Sequence, residues 1–116
     1  MSAKEPEELA QAFAEAIRSG DGAAAAALFE PEAVLTTQQG NVCNGREEIG
    51  KLLEGYAAMK PPLRIRNLKS LRAGDLALMY NAPSHEGVEG EGRAVEICRL
   101  QADGTWRYVM VFHPAG

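Results

Sequence analysis

Arg18-Ser19-Gly20-Asp21 closes one helix, Leu28-Phe29-Glu30-Pro31-Glu32-Ala33-Val34-Leu35 carries a second short helix into a strand, and Asn44-Gly45-Arg46-Glu47-Glu48-Ile49 opens a third helix. In this order and spacing, within residues 10–49, the three pieces describe a sheet wrapped around a helix: a cone with an open mouth. They imply an architecture and a pocket but name no substrate.

Working outward, Leu9, Ala12, Phe13, Ala16 and Ile17 fall on one helical stripe across residues 6–18, with Pro6 suited to the first turn and Gly20 to the stop. Asp21 can cap a second helix over the alanine run 23–27, which ends near Phe29 because Pro31 forbids its continuation. Residues 33–37 read as a strand, 38–41 as a turn, and Val42 and Cys43 as renewed extended chain. A third helix spans 46–59 with Ile49, Leu52, Leu53 and Tyr56 along its inner face, and Pro61-Pro62 ends it.

The period then changes. Leu63, Ile65 and Leu68 suggest a strand that Leu71 follows out of step, which places a bulge or bend near Asn67. Ala73-Gly74-Asp75 is a turn and residues 76–82 form a largely apolar strand. Residues 84–92 hold three glycines and three glutamates and read as a loop or frayed hairpin tip. The last two strands, 93–100 and 105–113, are joined through Asp103-Gly104, a strong hairpin signal. Helices first and an antiparallel meander after them mean α+β: three N-terminal helices packed on a curved, mainly antiparallel sheet.

At 116 residues the chain can bury roughly two-thirds of its unfolded surface, enough for one core, so residues 1–116 are expected to form a single domain. A net charge of -4 supplies no basic patch for a phosphate backbone, which argues against nucleic acid. Residues 1–6 lack the apolar run of a signal peptide and no segment approaches ~18 consecutive apolar residues, so no membrane is expected and the protein is read as cytoplasmic. Cys43 and Cys98 stand far apart and are read as reduced thiols. His85 and His113 have no matching carboxylate spacing, so no metal and no cofactor are expected. The glycine-rich run 87–92 precedes a strand and lies among glutamates, which disfavours phosphate binding.

On strict alternation, Trp106, Tyr108, Met110 and Phe112 share one face of the last strand while Val109, Val111 and His113 share the other. Apolar residues on both faces call for cover on both. The helices supply one cover; a second copy of the chain is expected to supply the other, making a homodimer through Trp106, Tyr108, Met110 and Phe112, ahead of the alternative of a monomer whose own tail covers that face.

Gln11-Ala12-Phe13 with Ser19-Gly20-Asp21, the passage from Leu28-Phe29 to Ala33-Val34-Leu35, residues 44–49, and the closing Asp103-Gly104-Thr105-Trp106-Arg107 together resemble the ketosteroid isomerase and polyketide-cyclase-like (SnoaL-like) superfamily. Nuclear transport factor 2 shares its fold. The resemblance covers nearly the whole chain and implies a cystatin-like cone with an internal pocket. It does not imply one activity, since the superfamily holds isomerases, cyclases, hydrolases, dioxygenase small subunits and silent binding domains. The isomerase uses a carboxylate base on the first strand, a tyrosine on the first helix and a protonated acid on a late strand. By resemblance the base position falls at or beside Thr37, the tyrosine position at Phe13 and the acid position at Glu96, so only the last role keeps its chemical group.

The run Ala94, Glu96, Cys98, Leu100 places Glu96 on an otherwise apolar strand face, where lost hydration raises a carboxyl pKa. Glu96 is therefore the candidate acid or base; a register shifted by one residue would instead turn it outward or pair it with Arg93, Arg99 or Arg107. His113 is either its acid/base partner or a surface histidine at a strand end. Tyr80 either supplies the phenol that Phe13 lacks or packs in the core, and His85 is read as a solvated loop residue. The cavity is expected to be lined by Phe13, Ile17, Tyr56, Leu78, Tyr80, Ala94, Cys98, Val109 and Val111, with Thr37 among hydrogen-bonding groups at its rim. Its expected occupant is a small hydrophobic ligand, acted on by proton transfer or simply held.

Overall fold

Residues 3–114 are described by a computed structural model. Pro6 sits in the first turn of helix α1 (Pro6–Arg18), where its missing N–H matters least. Glu8 reaches back to the amide of Glu5 at 2.9 Å and completes a capping box. Gly20, at φ 84°, takes the left-handed turn that a side chain resists. Asp21 then accepts the Ala24 amide at 3.0 Å and caps α2 (Gly22–Ala26). Its first residue has no room for a side chain: a Cβ on Gly22 would lie 2.7 Å from Glu54 Cα of α3 (Gly45–Ala58).

Six strands form one curved sheet: β1 (Phe29–Thr36), β2 (Val42–Asn44), β3 (Leu63–Ala73), β4 (Leu76–His85), β5 (Ala94–Leu100) and β6 (Trp106–Phe112). Their order is β2-β1-β6-β5-β4-β3, and every pairing is antiparallel except β1 with β6. Two helices precede the sheet and the third is inserted between β2 and β3. From α1, Arg18 donates to the Leu63 carbonyl at 2.7 Å and Gln11 to the Ile65 carbonyl at 3.2 Å, which ties the helix to edge strand β3. Among the described residues no helix is long and apolar enough to cross a membrane.

Three departures from the sequence reading matter for the site. β1 begins at Phe29 rather than at residue 33. Pro31 is tolerated there because it lies in the irregular stretch between the pairs Phe29↔Tyr108 and Val34↔Met110. β4 runs past Ala82 to His85, where its partner is only β3; Pro83, opposite Ile65, therefore leaves no second ladder short of a donor.

The third departure is in β6. Ile97 pairs with Met110 and Cys98 with Tyr108, so Val109 is an extra residue in a β-bulge. The bulge breaks the alternation. Trp106 and Tyr108 are 1% and 2% exposed and belong to the core, while Met110 and Phe112 are 50% and 52% exposed on the other face. The four residues do not share a surface. Trp106 also carries the Arg72 guanidinium 4.7 Å above its ring and donates its amide to the Ala3 carbonyl.

Candidate functional site

Helices α1 and α3 cover one face of the sheet and leave a cavity of about 530 Å³ against it. Phe13 from α1, Leu52, Leu53 and Tyr56 from α3, Leu35 from β1, Ala94 from β5 and Val111 from β6 make most of its wall apolar. Phe13, Phe29 and Tyr108 cluster with ring centroids 6.2, 6.3 and 4.9 Å apart, in the edge-on and tilted arrangements that ring quadrupoles favour.

Glu96 is set into this wall and is 6% exposed. Alternation along β5 puts it on the face of Ala94 and Cys98, both buried. Among the described residues no cation pairs with it: Arg99 is bound to Glu30 at 3.0 Å, and Arg93 donates to the Gly92 carbonyl at 2.8 Å with Glu91 at 3.9 Å. Its polar neighbours are the Asn81 side-chain amide, which donates to Oε1 at 2.9 Å, and the Tyr108 phenol. Burial strips water from the carboxylate and pushes the pKa up to about 7, against the pull of those two donors. At neutral pH the group is therefore divided between acid and base forms. Burial holds the Tyr108 phenol well above its usual value, aided by the neighbouring carboxylate. Burial likewise raises the Cys98 thiol, so this cysteine stays protonated and is no nucleophile.

Toward the mouth, His85 Nε2 is hydrogen-bonded to the Tyr56 phenol, joining the end of β4 to α3. His85 is thus a bonded wall residue rather than a solvated loop histidine, a consequence of the longer β4. The segment after it also borders the cavity. It is tied down where Gly92 donates to the Pro83 carbonyl at 2.7 Å and Arg66 clasps Glu91 at 2.7 and 3.0 Å. His113 faces the cavity as well; its Nδ1 lies 2.6 Å from the Thr36 carbonyl, which can only accept, so Nδ1 carries a proton and Nε2 is the nitrogen left for other contacts.

Of the residues expected around the pocket, Phe13, Thr37, Tyr56, Ala94, Glu96, Val111 and His113 border one cavity. Ile17 and Cys98 are buried in the core behind it. Leu78 and Tyr80 lie outside it: β4 turns Ala77, Met79 and Asn81 inward, and since the strand is apolar on both faces its alternation has no visible phase. Val109, in the bulge, does not border the cavity either. Tyr108 and Asn81 are the polar partners of Glu96 that the sequence reading missed. The bulge hides Tyr108, whereas Asn81 carries a signal, a lone amide inside an apolar strand. Among the described residues no group of three or more His, Cys, Asp or Glu is placed to hold a metal.

A model of the SnoaL-like domain matches residues 10–109. No functionally curated protein is similar enough to match. Among solved structures, a domain provisionally assigned as a calcium/calmodulin-dependent protein kinase type II association domain from Thiobacillus denitrificans superposes with a TM-score of 0.82 at 18% identity, covering 98% of each chain. A provisionally assigned ketosteroid isomerase from Shewanella frigidimarina gives 0.76 at 18% identity over 92% of each chain. A domain of unknown function with a cystatin-like fold from Nostoc punctiforme gives 0.73 at 17% identity, over 93% of this chain and 73% of the other. At such identities the likeness concerns the fold.

Proposed function

The chain belongs to the SnoaL-like family, and on that premise we propose that it holds a small, uncharged, apolar carbonyl compound in its cavity and exchanges a proton with it through Glu96. The observation that carries this reading is a buried ionisable group, with a pKa of about 7, in a mostly apolar cavity wall and without a cation bound to it. Protonated, Glu96 donates to a carbonyl oxygen; ionised, and held by the Asn81 amide and the Tyr108 phenol, it can take a proton from carbon next to that carbonyl. Among the described residues the cavity wall includes no lysine or arginine, so a phosphate or carboxylate would meet glutamates without the permanent counter-charge those two residues supply.

Steroid isomerisation of the familiar kind is not proposed. By resemblance the base position of that enzyme falls at or beside Thr37, which offers no base, and its tyrosine position at Phe13, which offers no donor. The same two residues favour a second reading, a binding or accessory module that holds its ligand without turning it over. In either reading we take the chain to be a homodimer through the outer sheet face, with Met110 and Phe112 at the contact and Trp106 and Tyr108 excluded from it by their burial.

Acetonaphthone, an apolar fluorescent ketone that only accepts hydrogen bonds, tests the site directly. Its affinity is expected to fall as pH rises through about 7, where Glu96 loses the proton it would donate. Glu96→Gln should bind with no such dependence. No binding, or a flat pH profile in the wild type, would overturn the proposal. Deuterium exchange at the ketone's methyl group then separates the two readings: exchange above the buffer rate that is lost in Glu96→Gln marks catalysis, and its absence leaves the binding module.

A further inference from the structure

Glu96 is one end of a hydrogen-bond chain that leaves the cavity and crosses the sheet to its edge. Asn81 on β4 is fully buried and donates Nδ2 to Glu96 Oε1 at 2.9 Å. Its Oδ1 accepts Nδ2 of Asn67 on β3, also at 2.9 Å, and Asn67 Oδ1 accepts the Ser70 hydroxyl at 3.1 Å. Every donor in the series points toward Glu96.

The direction is set from the outer end. Asn67 stands beside the bulge that shifts the β3–β4 register between Asn67 and Lys69. Its amide Nδ2 also faces the Lys69 carbonyl at 3.2 Å and the Tyr80 carbonyl at 3.5 Å. Turning this amide over would set Oδ1 against two carbonyl oxygens, neither of which can donate. Asn67 therefore holds its Nδ2 toward Asn81, Asn81 must offer Oδ1 to it, and only Nδ2 of Asn81 remains for the carboxyl.

We infer that this asparagine pair makes Glu96 Oε1 a standing acceptor, so that the acid carries its proton on Oε2, and that Asn67, at the outer edge of the sheet, is a positioning residue for that proton. The inference rests on the reading of Glu96 as the group that exchanges a proton with a ligand. It adds which oxygen does so and which remote residue decides it. A carboxyl held by a freely rotating neighbour would present its O–H in either of two directions; here one of them is closed.

The test follows the Glu96 carboxyl through its titration by carbon NMR, with no ligand present. The other titratable groups beside it, the Tyr108 phenol on β6 and the Cys98 thiol on its own strand, are both raised by burial and stay neutral in this range. The charged or titratable groups that α3, the end of β4 and the loops bring to the same cavity are Tyr56, His85, Glu89, Glu91 and His113, and all are kept in every variant. Asn81→Leu removes the donor and should raise the Glu96 midpoint by about one pH unit, a tenfold change in the ionisation ratio. Asn67→Ala frees the Asn81 amide to turn and should raise it by a smaller amount.

Asn67→Asp is the decisive variant. An acceptor at position 67 draws Asn81 Nδ2 outward and turns Oδ1 onto Glu96, so the midpoint should rise further than in Asn67→Ala. That rise should persist at about 1 M salt, where a purely Coulombic effect of a surface charge is screened. Unchanged midpoints in both position-67 variants would overturn the inference, and so would an Asn67→Asp effect that vanishes in salt while Asn67→Ala shows none. Should Asn67→Asp fail to fold, the Asn67→Ala shift decides alone. An intact asparagine effect with no ketone binding would sink the proposed function only; normal ketone binding with a flat position-67 series would sink this inference only.

Discussion

A single buried carboxyl has consequences for the whole stability curve. The pKa of Glu96 is raised from 4.5 to about 7, so between those values the folded chain holds a proton that the unfolded chain has released. Folding is then favoured by protonation: the contribution is complete below about pH 4.5 and is lost as pH rises through about 7. The difference corresponds to about 3 kcal/mol, to order of magnitude. Urea unfolding at about pH 5 and about pH 8 should show wild-type stability falling relative to Glu96→Gln by that order, because the amide cannot ionise. Glu91 and Asp103 act the other way, since hydrogen bonds from Arg66 and Thr105 depress them, but their effect lies on the acid side of this window. Equal pH profiles for wild type and Glu96→Gln would mean that Glu96 is hydrated, and the acid/base reading of the cavity would go with it.

At the scale of elements, β6 separates what sequence can say from what it cannot. Its alternation puts Trp106, Tyr108, Met110 and Phe112 on one face, and one extra residue at Val109 splits them two and two. Trp106→Ala is therefore a core substitution: removing a side chain 1% exposed, together with its contact to Arg72, should destabilise by about 3–5 kcal/mol. Met110→Ala, on the exposed side, should stay within about 0.5 kcal/mol in the monomer. Comparable losses from both would contradict the bulge. The bounds of α1, and on α3 the inward turn of Ile49 and Leu53, are legible because caps, glycines and a 3.6-residue period are written in side chains. Glu96 is legible for a similar reason, as a lone charge between small apolar residues. A bulge has no such signature, and a strand apolar on both sides has no readable phase, so alternation alone sends Tyr108 outward and Leu78 and Tyr80 inward. The place of His85 escapes a sequence reading because the length of β4 follows from how far it stays paired with β3, to Leu63 opposite His85, which no local pattern records.

Across the molecule, the sheet has one face turned to the helices and cavity and another on which, among the described residues, Met110 and Phe112 stay exposed, and that outer face is where the homodimer reading stands or falls. Register makes its apolar residues neighbours: Phe112 lies opposite Val95, and Met110 lies between Ile97 on one side and Val34 on the other. These contacts join three adjacent strands into a patch centred on β6, interior to the sheet, so ordinary edge protection does nothing for it. A stable dimer needs about 1,200 Å² or more of total buried surface, which such a patch reaches only if the surrounding strands also take part. Charges at its centre should then be intolerable. Met110→Asp with Phe112→Asp is expected to convert a dimer into a monomer in sedimentation at several concentrations, while thermal unfolding of the monomer changes little because both side chains are already half exposed. The Glu96 titration should survive the same pair of changes, because Val111 and Glu96 face the cavity from the opposite side of these strands. A wild-type chain that sediments as a monomer at every concentration would end the dimer reading without touching the cavity, since the two properties occupy opposite faces of one sheet.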